Sequence, residues 1–144
     1  MNKRIELCID DYTFTADMHD DICPKTCKAI LQNLPLENDV KHGIWSGPVL
    51  FVAYPIDHSF KVPFDIELEN PTIYGSKGDI LLHIGPLEIG ILIVYEKAQF
   101  RSRFQPLIST HFASIKGGFN ELEEIGKRMR KEGFKKVFIK EKKP

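Results

Sequence analysis

The feature that most constrains the fold is the period at which hydrophobic residues recur. Over most of the chain they alternate with polar residues, which is typical of half-buried β-strands. Only two segments change to the helical period of 3.6: residues 24–34 and residues 119–132. Many short strands with two well-separated helices predict a mainly β protein: a closed, mainly antiparallel barrel with one helix over each end.

Local signals mark the ends of both helices. Pro24 fits the first helical position, where its missing N–H costs nothing, and Pro35 predicts that the first helix stops near Leu34. In the second helix, glutamates occupy the first half and lysines and arginines the second, which is the order that the helix dipole favours. Gly133 is suited to cap its C-terminus.

The strands are predicted from alternation and from turn residues. The first two runs form an N-terminal hairpin that turns at residues 10–11. Residues 88–95 are apolar almost throughout, which indicates a central strand covered on both faces. Within the irregular stretch of residues 55–78, Ile66 and Leu68 are a candidate strand, and residues 140–144 are predicted to fray. Residues 36–40 are either a short connector or a strand. The remaining predicted strands are one that runs through Trp45 to Ala53 and residues 80–84, 111–115 and 135–139.

Composition bounds the class of protein. The 144 residues predict a single domain, 1–144. Twenty basic and twenty acidic residues cancel, which argues against nucleic acid or an anionic membrane as a partner. The N-terminus lacks an apolar signal core and no apolar run is long enough to span a membrane, so we expect a cytoplasmic protein. Its three cysteines are then expected to be reduced thiols.

Two segments resemble cyclophilins. Residues 23–30, Cys-Pro-Lys-Thr-Cys-Lys-Ala-Ile, resemble the cyclophilin helix opening Ala-Pro-Lys-Thr, which also follows an N-terminal hairpin. Residues 112–119, Phe-Ala-Ser-Ile-Lys-Gly-Gly-Phe, resemble the strand-turn-helix segment Phe-Gly-x-Val-x-x-Gly-Met. The middle of the chain does not resemble cyclophilins.

The whole length resembles an uncharacterised bacterial and archaeal family with a cyclophilin-like barrel. That family carries Pro-Lys-Thr-Cys, His-x-Arg-Trp-Ser-Gly and Glu-Asn-x-Thr-x-Tyr motifs, among others. The resemblance implies a fold and candidate pocket positions, not an activity. Ile44 stands where the family has Arg, which removes a cation from the second motif. The matching segments here are residues 24–27, 42–47, 69–74, 77–79 and 110–113.

We predict a ligand pocket at one end of the barrel, where the resemblance brings aromatic, histidine and arginine side chains together. An arginine from one of these segments is expected to bond an anionic group of the ligand. The predicted ligand-binding residues are Trp45, His42, Ser46, Tyr95, Arg101, Arg103, His111 and Phe112.

Each of these residues also has a structural interpretation. Trp45 either stacks on a ligand or packs in the core. His42 and His111 either contact a ligand or are neutral, hydrogen-bonded structural histidines. Ser46 fits a backbone-bonded serine better than a nucleophile, because no Gly-x-Ser-x-Gly elbow surrounds it. The two arginines either clamp a carboxylate or phosphate or are solvated.

The functional hypothesis is a domain that binds a small molecule or a short peptide, with catalysis left open. The alternative is a peptidyl-prolyl cis-trans isomerase, but the cyclophilin motifs Phe-His-Arg and Gln-Gly-Gly-Asp are missing. An interaction module that forms homo-oligomers is a third possibility. We predict no cofactor and no metal, because His19, Cys23 and Cys27 lack a second ligand pair and Pro24 interrupts them.

Overall fold

A computed structural model describes residues 2–55, 60–63, 65–86 and 88–143. The two helices are α1 (Pro24–Gln32) and α2 (Phe119–Glu132). The strands are β1 (Arg4–Ile9), β2 (Tyr12–Met18), β3 (Leu36–His42), β4 (Val49–Pro55), β5 (Pro71–Thr72), β6 (Tyr74–Gly75), β7 (Asp79–Ile84), β8 (Glu88–Val94), β9 (Ala98–Gln99), β10 (Ser109–Ile115) and β11 (Lys135–Lys142). Neither helix is long and apolar enough to cross a membrane within this described part of the chain.

Eight strands close into an antiparallel barrel in the order β2-β1-β11-β3-β4-β8-β7-β10. The pairing of β10 with β2 closes the ring, with Ala113 opposite Met18 and Ile115 opposite Ala16. Closure leaves no free edge among these eight strands, because each one is hydrogen-bonded on both sides. The predicted fold class, a closed barrel with two helices, is confirmed.

The two helices lie at opposite ends of β2. The Tyr12 hydroxyl, at the start of β2, donates to the Glu124 carboxylate of α2 across 2.8 Å. At the other end, β2 leads into α1, and the Cys23 thiol donates to the main-chain carbonyl of His111 across 3.2 Å. One helix therefore covers each end of the barrel, as the sequence predicts.

A second, smaller core covers part of the outer barrel wall. Leu92 and Val94 of β8 point outward but are almost completely buried beneath Phe100. Gly75 of β6 lies over the Phe100 ring, and a Cβ atom at this position would come within 2.6 Å of it. The predicted two-sided burial of residues 88–95 is thus confirmed, because the segment of residues 97–108 packs on the outside.

Several sequence predictions were wrong in detail. Trp45 is not in a strand, because β3 ends at His42 and β4 begins at Val49, and the loop between them turns at Gly47 with φ of 84°. The prediction that residues 140–144 fray is also wrong, because β11 continues to Lys142 and pairs there with Arg4. A strand needs a hydrogen-bonding partner as well as alternation, and only the tertiary fold supplies or withholds it.

The segment of Ile66 and Leu68 is not a strand either. The next residue, Glu69, accepts a hydrogen bond from the Thr26 N–H across 2.7 Å, so its carboxylate caps α1. At the far end, α1 stops at Gln32 rather than Leu34. The Asn33 amide donates to the carbonyl oxygens of Ala29 and Lys61, both across 2.7 Å, and takes the place of a further helical turn.

Candidate functional site

A groove of about 480 Å³ lies at the α2 end of the barrel. One side is the end of β3 with the loop that follows it, and the other side is the C-terminus of α2. None of the described residues that line the groove is acidic. Its lining residues are Lys41, His42, Gly43, Ile44, Met129, Arg130, Gly133 and Phe134.

The local sequence explains why these two walls meet. Gly133, with φ of 90°, ends α2 in a conformation that few other residues adopt, and it allows the chain to turn sharply into β11. Because β11 then pairs with β3, Lys135 lies opposite Val40. The last turn of α2 is therefore brought over the end of β3.

The rim of the groove combines positive charge with exposed hydrophobic side chains. Lys41 and Arg130 form no salt bridge with any residue that the structure describes. The Ile44 side chain is 80% exposed and the Phe134 side chain is 61% exposed. Side chains of this kind remain available to an incoming partner.

His42, which lines the groove, forms a hydrogen-bonded pair with Tyr95. The Nδ1 atom of His42 lies 2.7 Å from the carbonyl oxygen of Gly43, and since a carbonyl only accepts, Nδ1 carries the proton. The Nε2 atom is then the acceptor for the Tyr95 hydroxyl, also at 2.7 Å. Burial lowers the pKa of His42 and raises that of Tyr95, so both groups are neutral. Both ring nitrogens of His42 are thus occupied by protein partners.

The loop that carries Trp45 is tied to the Arg101 segment. The Ser46 hydroxyl accepts from the Arg101 N–H across 3.0 Å and donates to the Arg101 carbonyl across 3.2 Å. Trp45 is 52% exposed in this loop, so its ring is not part of the core. Arg101 and Arg103 are exposed, and the Arg103 guanidinium lies 5.5 Å from the centre of the Phe104 ring. These two hydrogen bonds therefore hold the loop of Trp45 and Ser46 against the segment of Arg101 and Arg103.

The last two predicted residues lie elsewhere. Phe112 is 1% exposed and packs in the main core, where its ring does not face solvent. His111 lies on the outer wall, in a polar cluster with His19, Asp79 and Ser114. The structure thus divides the eight residues among the groove, the neighbouring loops, the core and the outer wall.

A β-bulge creates this polar cluster. The register of β10 against β7 shifts between His111 and Ala113, so Phe112 is an extra residue. Strict alternation places residues 111 and 113 on one face, but the bulge places His111 and Ser114 together instead. The Ser114 hydroxyl oxygen lies 2.9 Å from His19 Nε2 and 3.1 Å from His111 Nε2.

Asp79 completes the cluster. Its Oδ1 atom lies 3.3 Å from His111 Nε2, and its Oδ2 atom accepts from the Ser76 N–H across 2.8 Å. Although burial opposes it, these hydrogen bonds lower the pKa of Asp79. Burial and the neighbouring His111 lower the pKa of His19. Near neutral pH the cluster therefore contains an ionised carboxylate and a neutral His19.

The cysteines are suited to packing rather than to chemistry. Cys23 and Cys27 are buried free thiols that donate to main-chain carbonyls of β10. Burial raises the pKa of Cys23 to about 11 and that of Cys27 to about 12. Such thiols are poor nucleophiles at neutral pH. Among the described residues, no group of three or more His, Cys, Asp and Glu side chains has a metal-binding arrangement.

Sequence reasoning missed most of the groove and most of the cluster. Lys41 and Arg130 are 89 positions apart, and nothing in the local pattern links them. Likewise, only the bulge shows that Ser114 joins His111.

Comparisons with known proteins support the fold and a family. No curated protein matches the chain significantly. The structure of McbB in complex with tryptophan has a TM-score of 0.63 and 16% identity to this chain. The match covers 97% of this chain but only 45% of the longer McbB chain. The solution structure of the hypothetical protein AF2241 from Archaeoglobus fulgidus has a TM-score of 0.62 and 14% identity, and the match covers 98% of this chain and 95% of that one. The model of a family described as "protein of unknown function (DUF3830)" matches residues 5–140, and the chain therefore belongs to that family.

Proposed function

We propose that the protein binds a small molecule or a short peptide that carries a carboxylate and an apolar or aromatic group, in the groove between the β3–β4 loop and the end of α2. The observation that carries this proposal is the groove rim: two cations without salt bridges among the described residues stand beside exposed hydrophobic side chains, and no acid is among the described lining residues.

The charge of the groove favours an anion. The C-terminus of α2 contributes a partial negative charge of about half an elementary charge. Lys41 and Arg130 outweigh it, since each carries a full positive charge. An arginine presents a planar fork that matches a carboxylate, and each charge-assisted hydrogen bond contributes roughly 1.5–3 kcal/mol. A loss of that size changes affinity at least tenfold.

The shape and the apolar side chains favour a small ligand. A volume of about 480 Å³ is within the range of small-molecule sites. Ile44 and Phe134 lose exposed surface when a ligand covers them, and burial of apolar surface favours binding. McbB has a related fold and its structure holds tryptophan, which combines an aromatic ring with a carboxylate. At 16% identity the similarity to McbB is one of fold, so its support for the proposed class of ligand is indirect.

The geometry gives His42 a supporting role in this proposal. Because its two ring nitrogens bond Gly43 and Tyr95, it shapes the floor of the groove and leaves ligand bonding to the cations. Prolyl isomerisation remains the alternative that the resemblance of residues 23–30 and 112–119 to cyclophilins raises. None of the described lining residues favours it over simple binding.

The test uses the single tryptophan of the chain as a reporter. Trp45 directly follows Ile44 of the groove lining, so its fluorescence should change when aromatic carboxylates are titrated into the protein. Arg130→Gln should weaken the binding of a hit at least tenfold. Lys131→Gln is the matched control, because it removes the same charge from the next, exposed position of α2 outside the groove.

The proposal fails if Arg130→Gln and Lys41→Gln, both shown to be folded by circular dichroism, bind the hit as tightly as Lys131→Gln. It also fails if amides of the same compounds bind as well as the acids, because the cations would then have no role.

A further inference from the structure

We propose that Ser114 is a nucleophile with His19 as its general base, and that the polar cluster on the outer barrel wall accepts acyl groups from small carboxylic esters. The site is separate from the groove, and it rests on the four side chains His19, Asp79, His111 and Ser114.

The hydrogen-bond geometry gives each group one role. The ionised Asp79 carboxylate only accepts, so the His111 Nε2 atom 3.3 Å away carries a proton. A protonated Nε2 cannot accept from Ser114, although it does donate toward the Ser114 oxygen at 3.1 Å. The Ser114 proton therefore points at the other imidazole, the Nε2 atom of His19 at 2.9 Å.

This arrangement is that of an activated serine. The nucleophile lies within hydrogen-bond reach of a neutral histidine, which is the requirement for removal of its proton. The N–H of His111 faces the same oxygen and stabilises negative charge as the proton leaves. Asp79 acts through His111 and is a positioning residue. All four residues are partly exposed, so a compact electrophile reaches Ser114 from solvent.

The proposed step is balanced. The Ser114 oxygen forms a bond to the carbonyl carbon of an ester while its proton passes to His19 Nε2. The bond between that carbon and the alcohol oxygen breaks, and the alcohol leaves with the proton from His19. Water then attacks the acyl-serine with His19 again as base, which releases the carboxylic acid and restores the serine.

A second serine on the barrel wall provides an internal comparison. Ser109 lies 3.5 Å from Nδ1 of His83, but it is fully buried, and no carboxylate from the part of the chain that the structure describes joins the pair. His83 instead lies 3.1 Å from the carbonyl oxygen of Ile108. The two serine–histidine pairs therefore differ in both exposure and bonding.

The test labels the full chain with a fluorophosphonate probe and locates the label by mass spectrometry. We expect labelling at Ser114 and at none of the other five serines. Ser114→Ala should abolish the labelling. His19→Gln, which keeps a polar side chain but has no base, should slow it about 100-fold. His83→Gln is the matched histidine control and should leave the rate unchanged.

The pH profile separates chemistry from packing. The titratable groups facing His19 are Asp79 from β7, Asp21 before α1, and His111 and Lys116 from β10 and the turn after it. The labelling rate should rise as His19 loses its proton. Because the Asp79 charge raises the pKa of His19, Asp79→Asn should move the midpoint of that rise to lower pH.

The proposal is overturned if the wild-type label is spread over exposed serines such as Ser76, or if folded His19→Gln is labelled at the wild-type rate. Because the site of labelling is measured on the wild-type protein, a Ser114→Ala variant that failed to fold would not remove the test. A profile that does not shift in folded Asp79→Asn would contradict the assigned effect of the Asp79 charge on His19.

Discussion

Gly126→Ala should destabilise the protein, although glycine-to-alanine changes usually stabilise a helix. Gly126 lies in the middle of α2, where the Tyr95 ring packs directly on its backbone. A Cβ atom here would lie 2.5 Å from Cε1 and 2.8 Å from Cγ of that ring. Tyr95 is 2% exposed and its hydroxyl is bonded to His42, so the ring has little freedom to move.

Two effects of opposite sign set the magnitude. Alanine is more favourable than glycine in a helix interior by about 1 kcal/mol. Overpacking a rigid site costs roughly 1–3 kcal/mol, and contact with several atoms of one buried ring places this site at the upper end. The expected net loss is about 2 kcal/mol, which corresponds to a Tm lower by about 6 °C for a domain of this size.

The measurement is urea unfolding followed by circular dichroism, with wild type and variant compared at the same pH. The matched control is the same change in a Tyr95→Leu background, where the smaller side chain leaves room for the new methyl group. In that background Gly126→Ala should be neutral or stabilising. The double-mutant cycle therefore measures the interaction free energy between position 126 and the Tyr95 ring. A stability gain of about 1 kcal/mol in the wild-type background would refute the packing argument, because it would show helix propensity alone.

Two other predictions follow from the fold. Burial lowers the pKa of both His19 and His42 in the folded protein, so the unfolded chain takes up protons first as the pH falls. The free energy of unfolding should therefore decrease as the pH drops from 7 through about 6.5. Urea midpoints measure this decrease, which should be less steep in His19→Gln. Midpoints that do not change between pH 7 and 5.5 would contradict the assigned burial of these rings. Glu69→Ala should cost about 1 kcal/mol because it removes the carboxylate that caps α1, whereas Glu67→Ala, which removes an exposed partner of Lys25, should change thermal unfolding little. Equal effects of the two changes would rule out the capping role.

Local pattern determined both helices and most of the long strands. The helix at Phe119–Glu132 was predictable to the residue, because its apolar stripe, its charge order and Gly133 agree. The N-terminal hairpin and the two-sided burial of β8 were predictable for the same reason: alternation or continuous hydrophobicity reports which faces are covered. Closure into a barrel followed from the number of short strands and the two isolated helices.

The tertiary structure decided where the functional groups meet. Lys41 and Arg130 share a groove only because β11 returns from α2 to pair with β3. His111 and Ser114 share a face only because one extra residue enters β10. A register shift or a return of the chain depends on hydrogen bonds and packing between distant segments, and no local period records them. The sequence by itself therefore determined both helices and most strands of this barrel, whereas long-range strand pairing determined the remaining strand bounds and the candidate sites.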